Sequence, residues 1–137
     1  MRDDATFFAK SKFIGEVVMD KGTKIYQEII DEFVKKSRNC VDANWAINGE
    51  AKGTGEYITK LNELFAKLTT EERETLAQYA LDTYMDGIYD TLCELEWYID
   101  CKDMKITVEG EELPTTKFEG LGNDFIGRRD GWEWTEC

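Results

Sequence analysis

The chain has no histidine and only one proline in 137 residues, and none of its four cysteines lies close to another. Without histidine there can be no Ser-His-Asp triad, no Cys-His pair, none of the usual zinc hydrolase sites and no carboxylate–histidine di-iron helices. Cys40, Cys93, Cys101 and Cys137 offer no C-x-x-C spacing. No apolar run approaches the roughly 18 residues that span a bilayer. The first ten residues carry charges on both sides of a short apolar patch, which is not the order of a secretory signal. Reduced thiols, a cytoplasmic location and no membrane partner are therefore expected.

Other chemistry is missing too. There is no Walker loop and no Asp-rich EF-hand loop, and Gly120-Leu121-Gly122-Asn123-Asp124-Phe125 breaks the dinucleotide pattern at its third glycine. A hydrolase built on carboxylates alone needs two well-placed acids, but no spacing among the 29 acidic residues singles out a pair. No catalytic residue, metal ligand set or cofactor is nominated, and the reading leans away from an enzyme.

What is present suits a folded chain. Hydrophobic residues make up 42% and aromatics 12%. A domain of this size removes about two thirds of its unfolded surface from water. The expected fold is mainly α: residues 1–137 as a single-domain helical bundle, with a small C-terminal β-hairpin and an irregular tail. Residues 5–20 read as a first helix or a docking arm, and Gly22 as a break. Ile25, Ile29, Ile30, Phe33 and Val34 then lie on one face of a helix over 23–38, with Asp31–Lys35 and Glu32–Lys36 as ion pairs. Val41, Trp45 and Ile47 suggest a short helix ending at Asn48-Gly49, and the glycines at 49, 53 and 55 a loop. A helix over 56–67 carries Ile58, Leu61, Leu64, Phe65 and Leu68 on its apolar side. Thr69-Thr70-Glu71-Glu72 has the form of a capping box opening a long helix to about Asp100, with a bend at Gly87 allowed. Lys105–Val108 and Glu111–Leu113 flank Glu109-Gly110 as a hairpin, and Asn123 is placed to cap a single turn through Arg129.

Charge is unevenly distributed. Residues 1–68 hold 11 Lys/Arg against 11 Asp/Glu, whereas residues 69–137 hold 6 against 18 and carry the whole net charge of −12. Such a field repels nucleic-acid phosphates and anionic membranes, so no direct nucleic-acid binding is expected, while a basic protein partner is permitted.

On the long helix Asp82, Asp86, Asp90 and Glu94 follow at intervals of four. With about 100° per residue each step drifts only about 40°, so the four share one face. That face lies nearly opposite Ala77, Ala80, Leu81, Tyr84, Ile88, Leu92, Leu95 and Ile99. Like charges at this spacing cost a few tenths of a kcal/mol per pair. Two readings stand: a solvated helix face, or a docking surface for a cationic partner flanked by Tyr79, Tyr89 and Trp97. Those three aromatics could equally lie beneath the C-terminal segment. A third reading, a nucleic-acid mimic with carboxylates in place of phosphates, rests on the same row. Cys93 and Cys101 read as buried small residues.

The segment 124–136 sets Arg128 and Arg129 among Phe125, Trp132 and Trp134 in an otherwise acidic half. Either the aromatics dock on the helices while an arginine pairs with helix carboxylates, or Arg128, Arg129 and Trp132 form a small anion or ligand site. With Leu68–Leu76 and Gly110-Glu111-Glu112-Leu113-Pro114, the pattern Asp124-Phe125-x-x-Arg128-Arg129-x-Gly131-x-x-Trp134 resembles an uncharacterised family of small acidic bacterial proteins. Members often carry proline after that last tryptophan, where this chain has Thr135. The resemblance implies a bacterial cytoplasmic protein with a mainly helical domain, and it transfers no functional residues. The functional expectation is a non-enzymatic accessory or immunity-like protein-binding module presenting its acidic helix face. The alternatives are a small-molecule binder or enzyme with a pocket near the two arginines, and the nucleic-acid mimic.

Overall fold

The structure, a computed structural model, describes residues 19–135. The expected helix or arm over 5–20 lies outside the described residues apart from its last two positions, which precede the first helix. The fold is mainly α: α1 (Lys21–Ser37), α2 (Val41–Asn48), α3 (Glu56–Lys67), α4 (Thr70–Lys102), the strands β1 (Thr107–Val108) and β2 (Glu111–Glu112), and α5 (Leu121–Arg129).

Helix α1 begins earlier than its apolar spacing suggests, because Asp20 caps it. The Asp20 carboxylate accepts from the Thr23 amide at 2.8 Å and from the Thr23 hydroxyl at 2.7 Å. Gly22 is therefore no break: it is buried in the first turn, where a Cβ would stand 2.8 Å from the Glu112 carbonyl oxygen. The absent side chain lets β2 lie against α1. The hairpin turns through Glu109 at φ 52° and Gly110 at φ 81°, the two positive angles that a tight two-residue turn requires. Thr107 pairs with Glu112 and Val108 with Glu111. The expected ion pairs of α1 are replaced: Lys35 lies 3.9 Å from Glu32, and Asp31 faces the C-terminal arginine described below.

Two apolar clusters hang on α4. Near its N-terminal half, Cys40, Ala43, Ala46, Ala51, Phe65 and Ala77 pack together. Ala43 and Ala46 face this core with Trp45 packed against it, whereas Val41 and Ile47 are exposed. Small side chains let α2 lie close along α4. Leu64 of α3 also faces outward. The Asn62 side chain brackets the glycine loop, accepting from the Ala51 amide at 2.6 Å and donating to the Ala51 carbonyl at 3.1 Å. At the other end Tyr26, Ile30, Val34, Leu92, Leu113, Leu121 and Phe125 form the second cluster.

Helix α5 corrects the single turn expected after Asn123. It starts three residues earlier, at Leu121, with Gly120 at φ 96° as its cap residue, and runs for nine residues. Glycine cannot cap with a side chain, and Glu96 of α4 supplies the carboxylate instead, accepting from the Gly122 amide at 3.1 Å. Gly122 is buried against α4, where a Cβ would meet the Cys93 sulfur at 2.5 Å and Tyr89 at 3.3 Å. Of the two thiols read as buried, Cys93 is partly covered here, and Cys101 is exposed near the end of the helix.

The close approach of α5 to α4 gives a direct test. Gly122→Ala should lower stability by about 1–3 kcal/mol through overpacking. Adding Cys93→Ala should recover most of that loss in urea denaturation, because the sulfur is the nearest obstacle.

Candidate functional site

Helix α4 spans 33 residues, about 50 Å. Its start follows the sequence: the Thr69 hydroxyl accepts from the Glu72 amide at 3.1 Å, while the Thr69 amide donates to the Glu72 carboxylate at 2.8 Å. That pairing holds the Glu72 carboxyl below its ordinary value. The helix runs through Gly87 without a break. A Cβ at Gly87 would meet no described residue within 4 Å, so this glycine costs helix stability, about 1 kcal/mol against alanine, with no packing need among the described residues.

Asp82, Asp86, Asp90 and Glu94 are all exposed along the outer face. Among the described residues none forms a salt bridge, and Asp82 accepts only a 2.8 Å bond from Gln78. Each step of four residues advances about 6 Å, so the row extends about 18 Å. Tyr79, 69% exposed, and Trp97, 47% exposed, stand toward its two ends. Trp97 is held edge-on to Tyr98 at 5.0 Å, with the Lys102 ammonium 5.7 Å from its ring centre. Tyr89 departs from this group, since it is half-buried beside Gly122 of α5. The structure thus brings the four acids, Tyr79 and Trp97 to one open face and places Tyr89 at the seam with α5.

Two residues expected beneath the surface lie on it. Tyr84 is 40% and Leu95 37% exposed, because α1 covers only part of the apolar stripe of α4. With Phe33 and Ile88 they line an open groove of about 510 Å³ beside Gly87, and a second depression of about 370 Å³ beside Ile25, Ile29 and Val108 adjoins it, sharing Phe33 and Lys36. Periodicity assigned the face correctly but could not say that part of it would lack a neighbour.

The C-terminal arginines are placed differently. The Arg128 guanidinium grips Asp31 of α1 with two bonds of 2.7 and 3.2 Å and donates to the Trp132 carbonyl at 2.6 Å. Trp134 adds a 3.3 Å bond from its ring nitrogen to Asp31 and lies under the guanidinium, 5.3 Å from its ring centre. The Trp134 ring also packs on Phe118 at 4.9 Å and Tyr26 at 6.1 Å. Arg129 turns toward Asp130 at 3.6 Å, and its carbonyl accepts from Arg38 at 2.8 Å. Among the described depressions, Arg128 lines one with Asp31, Val34, Lys35 and Arg38, and Trp132 lines another without either arginine. The depression at Trp132 is lined by Glu119, Asn123, Gly127, Asp130 and Gly131.

Beneath this clamp lies a buried polar pair that spacing gave no sign of. The Tyr26 hydroxyl donates to Asp124 at 2.5 Å, and the other Asp124 oxygen accepts from the Glu119 amide at 3.0 Å. Burial pushes the Tyr26 hydroxyl well above its ordinary value of 10.0, and Asp124 adds to the rise. Burial also raises the Asp124 carboxyl, against the lowering effect of the bonds it accepts. Among the described residues no three His, Cys, Asp or Glu side chains are grouped to hold a metal ion, and no helix is long and apolar enough to cross a membrane.

The family model described as a family of unknown function (DUF6547) matches residues 19–136. The chain belongs to this family. No curated protein and no solved structure shows significant similarity to it. The match within DUF6547 begins one residue before the Asp20 cap of α1 and covers every element described above, the acidic face and the arginine clamp included.

Two outcomes are expected from this geometry. Arg128→Ala should cost about 2 kcal/mol and red-shift the tryptophan emission. In a double-mutant cycle with Asp31→Ala the coupling should reach about 1 kcal/mol, and additive losses would show that the pair does not act as a unit. The second concerns pH. Folded Tyr26 keeps a proton that an unfolded tyrosine releases near 10.0, so stability is full below that pH and falls as pH rises beyond it. Tyr26→Phe should flatten this alkaline decline in denaturation midpoints. At neutral pH the same change should cost about 1–3 kcal/mol, since Asp124 loses a buried donor.

Proposed function

We propose that this DUF6547 protein is a non-enzymatic bacterial accessory or immunity-like module of the cytoplasm that docks a basic protein on the outer face of α4. The observation that carries the reading is the uncovered acidic row. Asp82, Asp86, Asp90 and Glu94 project to solvent with no cation over them among the described residues, while Tyr79 and Trp97 stand exposed at either end. Three like-charge pairs at this spacing cost about 1 kcal/mol together, a loss that the packing of α4 does not require. Exposed aromatics beside charge supply the desolvated anchors and the steering that protein interfaces use.

The small-molecule reading has less support, because Asp31 and the Trp132 carbonyl occupy the Arg128 guanidinium and the cavity at Trp132 has acidic lining.

The test is affinity capture from the native host with wild type and with Asp86→Lys/Asp90→Lys. Wild type should retain a basic partner whose affinity falls steeply with salt, and the charge-reversed protein should lose it by tenfold or more, as roughly expected when like charges are juxtaposed. A partner held equally by both proteins would remove the acidic row from the interface.

A further inference from the structure

The apolar groove beside the acidic row has chemistry of its own. It lies between α1 and α4, lined by Phe33, Tyr84, Ile88, Leu92 and Leu95, with Gly87 on the side toward the acidic row. Its continuation along α1 carries Glu28, Glu32 and Glu109 on the rim, against Lys36 alone. From Ile25 to Lys36 the trough follows α1 for about 16 Å, roughly three helical turns. Asp90 and Glu94 stand on the solvent side of Gly87 and Thr91 on α4, so the outer border is acidic as well.

Resting on the protein-docking reading above, we infer that this trough receives one amphipathic helix of the basic partner, apolar face inward and lysines or arginines along both edges. The shape suits a helix, because a narrow apolar channel between two helices takes side chains at i, i+3, i+4 and i+7. The charge selects its sign: three carboxylates to one ammonium line the trough's second half, and the row on α4 adds more. A second copy of this chain would bring its own negative charge to those edges. Gly87 gives the occupant room, since the helix backbone there is bare and none of the described residues occupies the space a Cβ would take.

The probe is a fluorescein-labelled synthetic helical peptide with leucines at i, i+3, i+4 and i+7 and lysines on both flanks. Its counterpart carries glutamates on the flanks. Binding is read by anisotropy against the full chain as wild type, Gly87→Gln, Gly87→Ala and Asp86→Lys/Asp90→Lys. The lysine peptide should bind wild type at least about tenfold more tightly than the glutamate peptide. Gly87→Gln should weaken it by about tenfold or more by projecting into the groove, and Gly87→Ala should leave it within about threefold. Both Gly87 variants should unfold at or above the wild-type denaturant midpoint, because a better helix former replaces glycine, so lost binding cannot be lost folding. Equal binding of the two peptides, or full binding by Gly87→Gln, overturns the groove while leaving the captured-partner result for the acidic row as it stands. Binding that Gly87→Gln abolishes and Asp86→Lys/Asp90→Lys leaves unchanged overturns the occupant's basic edge along α4, since Asp90 forms part of that border. If the lysine peptide binds only after Phe8→Ser and Phe13→Ser, the chain's own N-terminal segment is the occupant and the proposal falls. It falls equally if wild type sediments as a dimer that Gly87→Gln dissociates.

Discussion

Placing a carboxylate in an apolar core is expensive unless its oxygens are met, and Asp124 has both of them met from separate parts of the chain. Tyr26 comes from α1 and the Glu119 amide from the turn before α5. Neither partner suffices alone, since an unmatched buried acceptor would cost about 1–3 kcal/mol. Satisfying Asp124 therefore fixes α5 against α1, and everything C-terminal to it inherits that placement. Gly122 sets the distance to α4 and Glu96 caps the helix start. Arg128, one turn beyond Asp124 on α5, is then in reach of Asp31. Phe118 and Trp134 close over Tyr26 and keep water from the pair.

That arrangement explains where the positive charge of the second half goes. Arg128 is held by Asp31, Arg129 by Asp130, Lys117 by Asp20, and Lys105 by Asp103 and Glu112. Lys102 lies over Trp97, and Arg73 is tucked beneath Gly49. All six cations of residues 69–137 are thus engaged elsewhere, at α1, the hairpin, the tail or the ends of α4. The acidic row is left uncovered by the described residues because α4 carries no Lys or Arg between Arg73 and Lys102 and the fold directs the few cations of this half to other partners.

How much of this was legible in the chain follows from how local each contact is. The capping box at Thr69, the helix over 56–67 and the turn at Glu109-Gly110 depend on residues within a few positions of one another, and all three are found as their spacing implies. The face of α4 bearing Asp82, Asp86, Asp90 and Glu94 was equally plain from periodicity. Gly22 reads as a break and Gly122 lies before the turn expected after Asn123; the real role of both is to admit another element's backbone or side chain, which no local pattern records. Tyr26 with Asp124, and Asp31 with Arg128, are nearly a hundred residues apart in the chain. The alternative of a tail docked through aromatics, with an arginine on a helix carboxylate, named the right kind of contact without naming the partner.

The exposed groove follows from lengths. Helix α4 is about twice as long as α1, roughly 50 Å against roughly 26 Å, and it is covered by two separate clusters, with α2 toward its start and α1 with α5 toward its end. Between Thr83 and Gly87 the first cluster has ended and α1 has only reached its last turns, so Tyr84 and Ile88 face a gap with an open side. Exposed apolar channels invite self-association. Here, however, any second copy brings the same carboxylates, which oppose it at close range. The constraint is selective: a partner must be apolar enough to fill the channel and positive enough to approach it, and few surfaces other than a basic amphipathic helix meet both conditions.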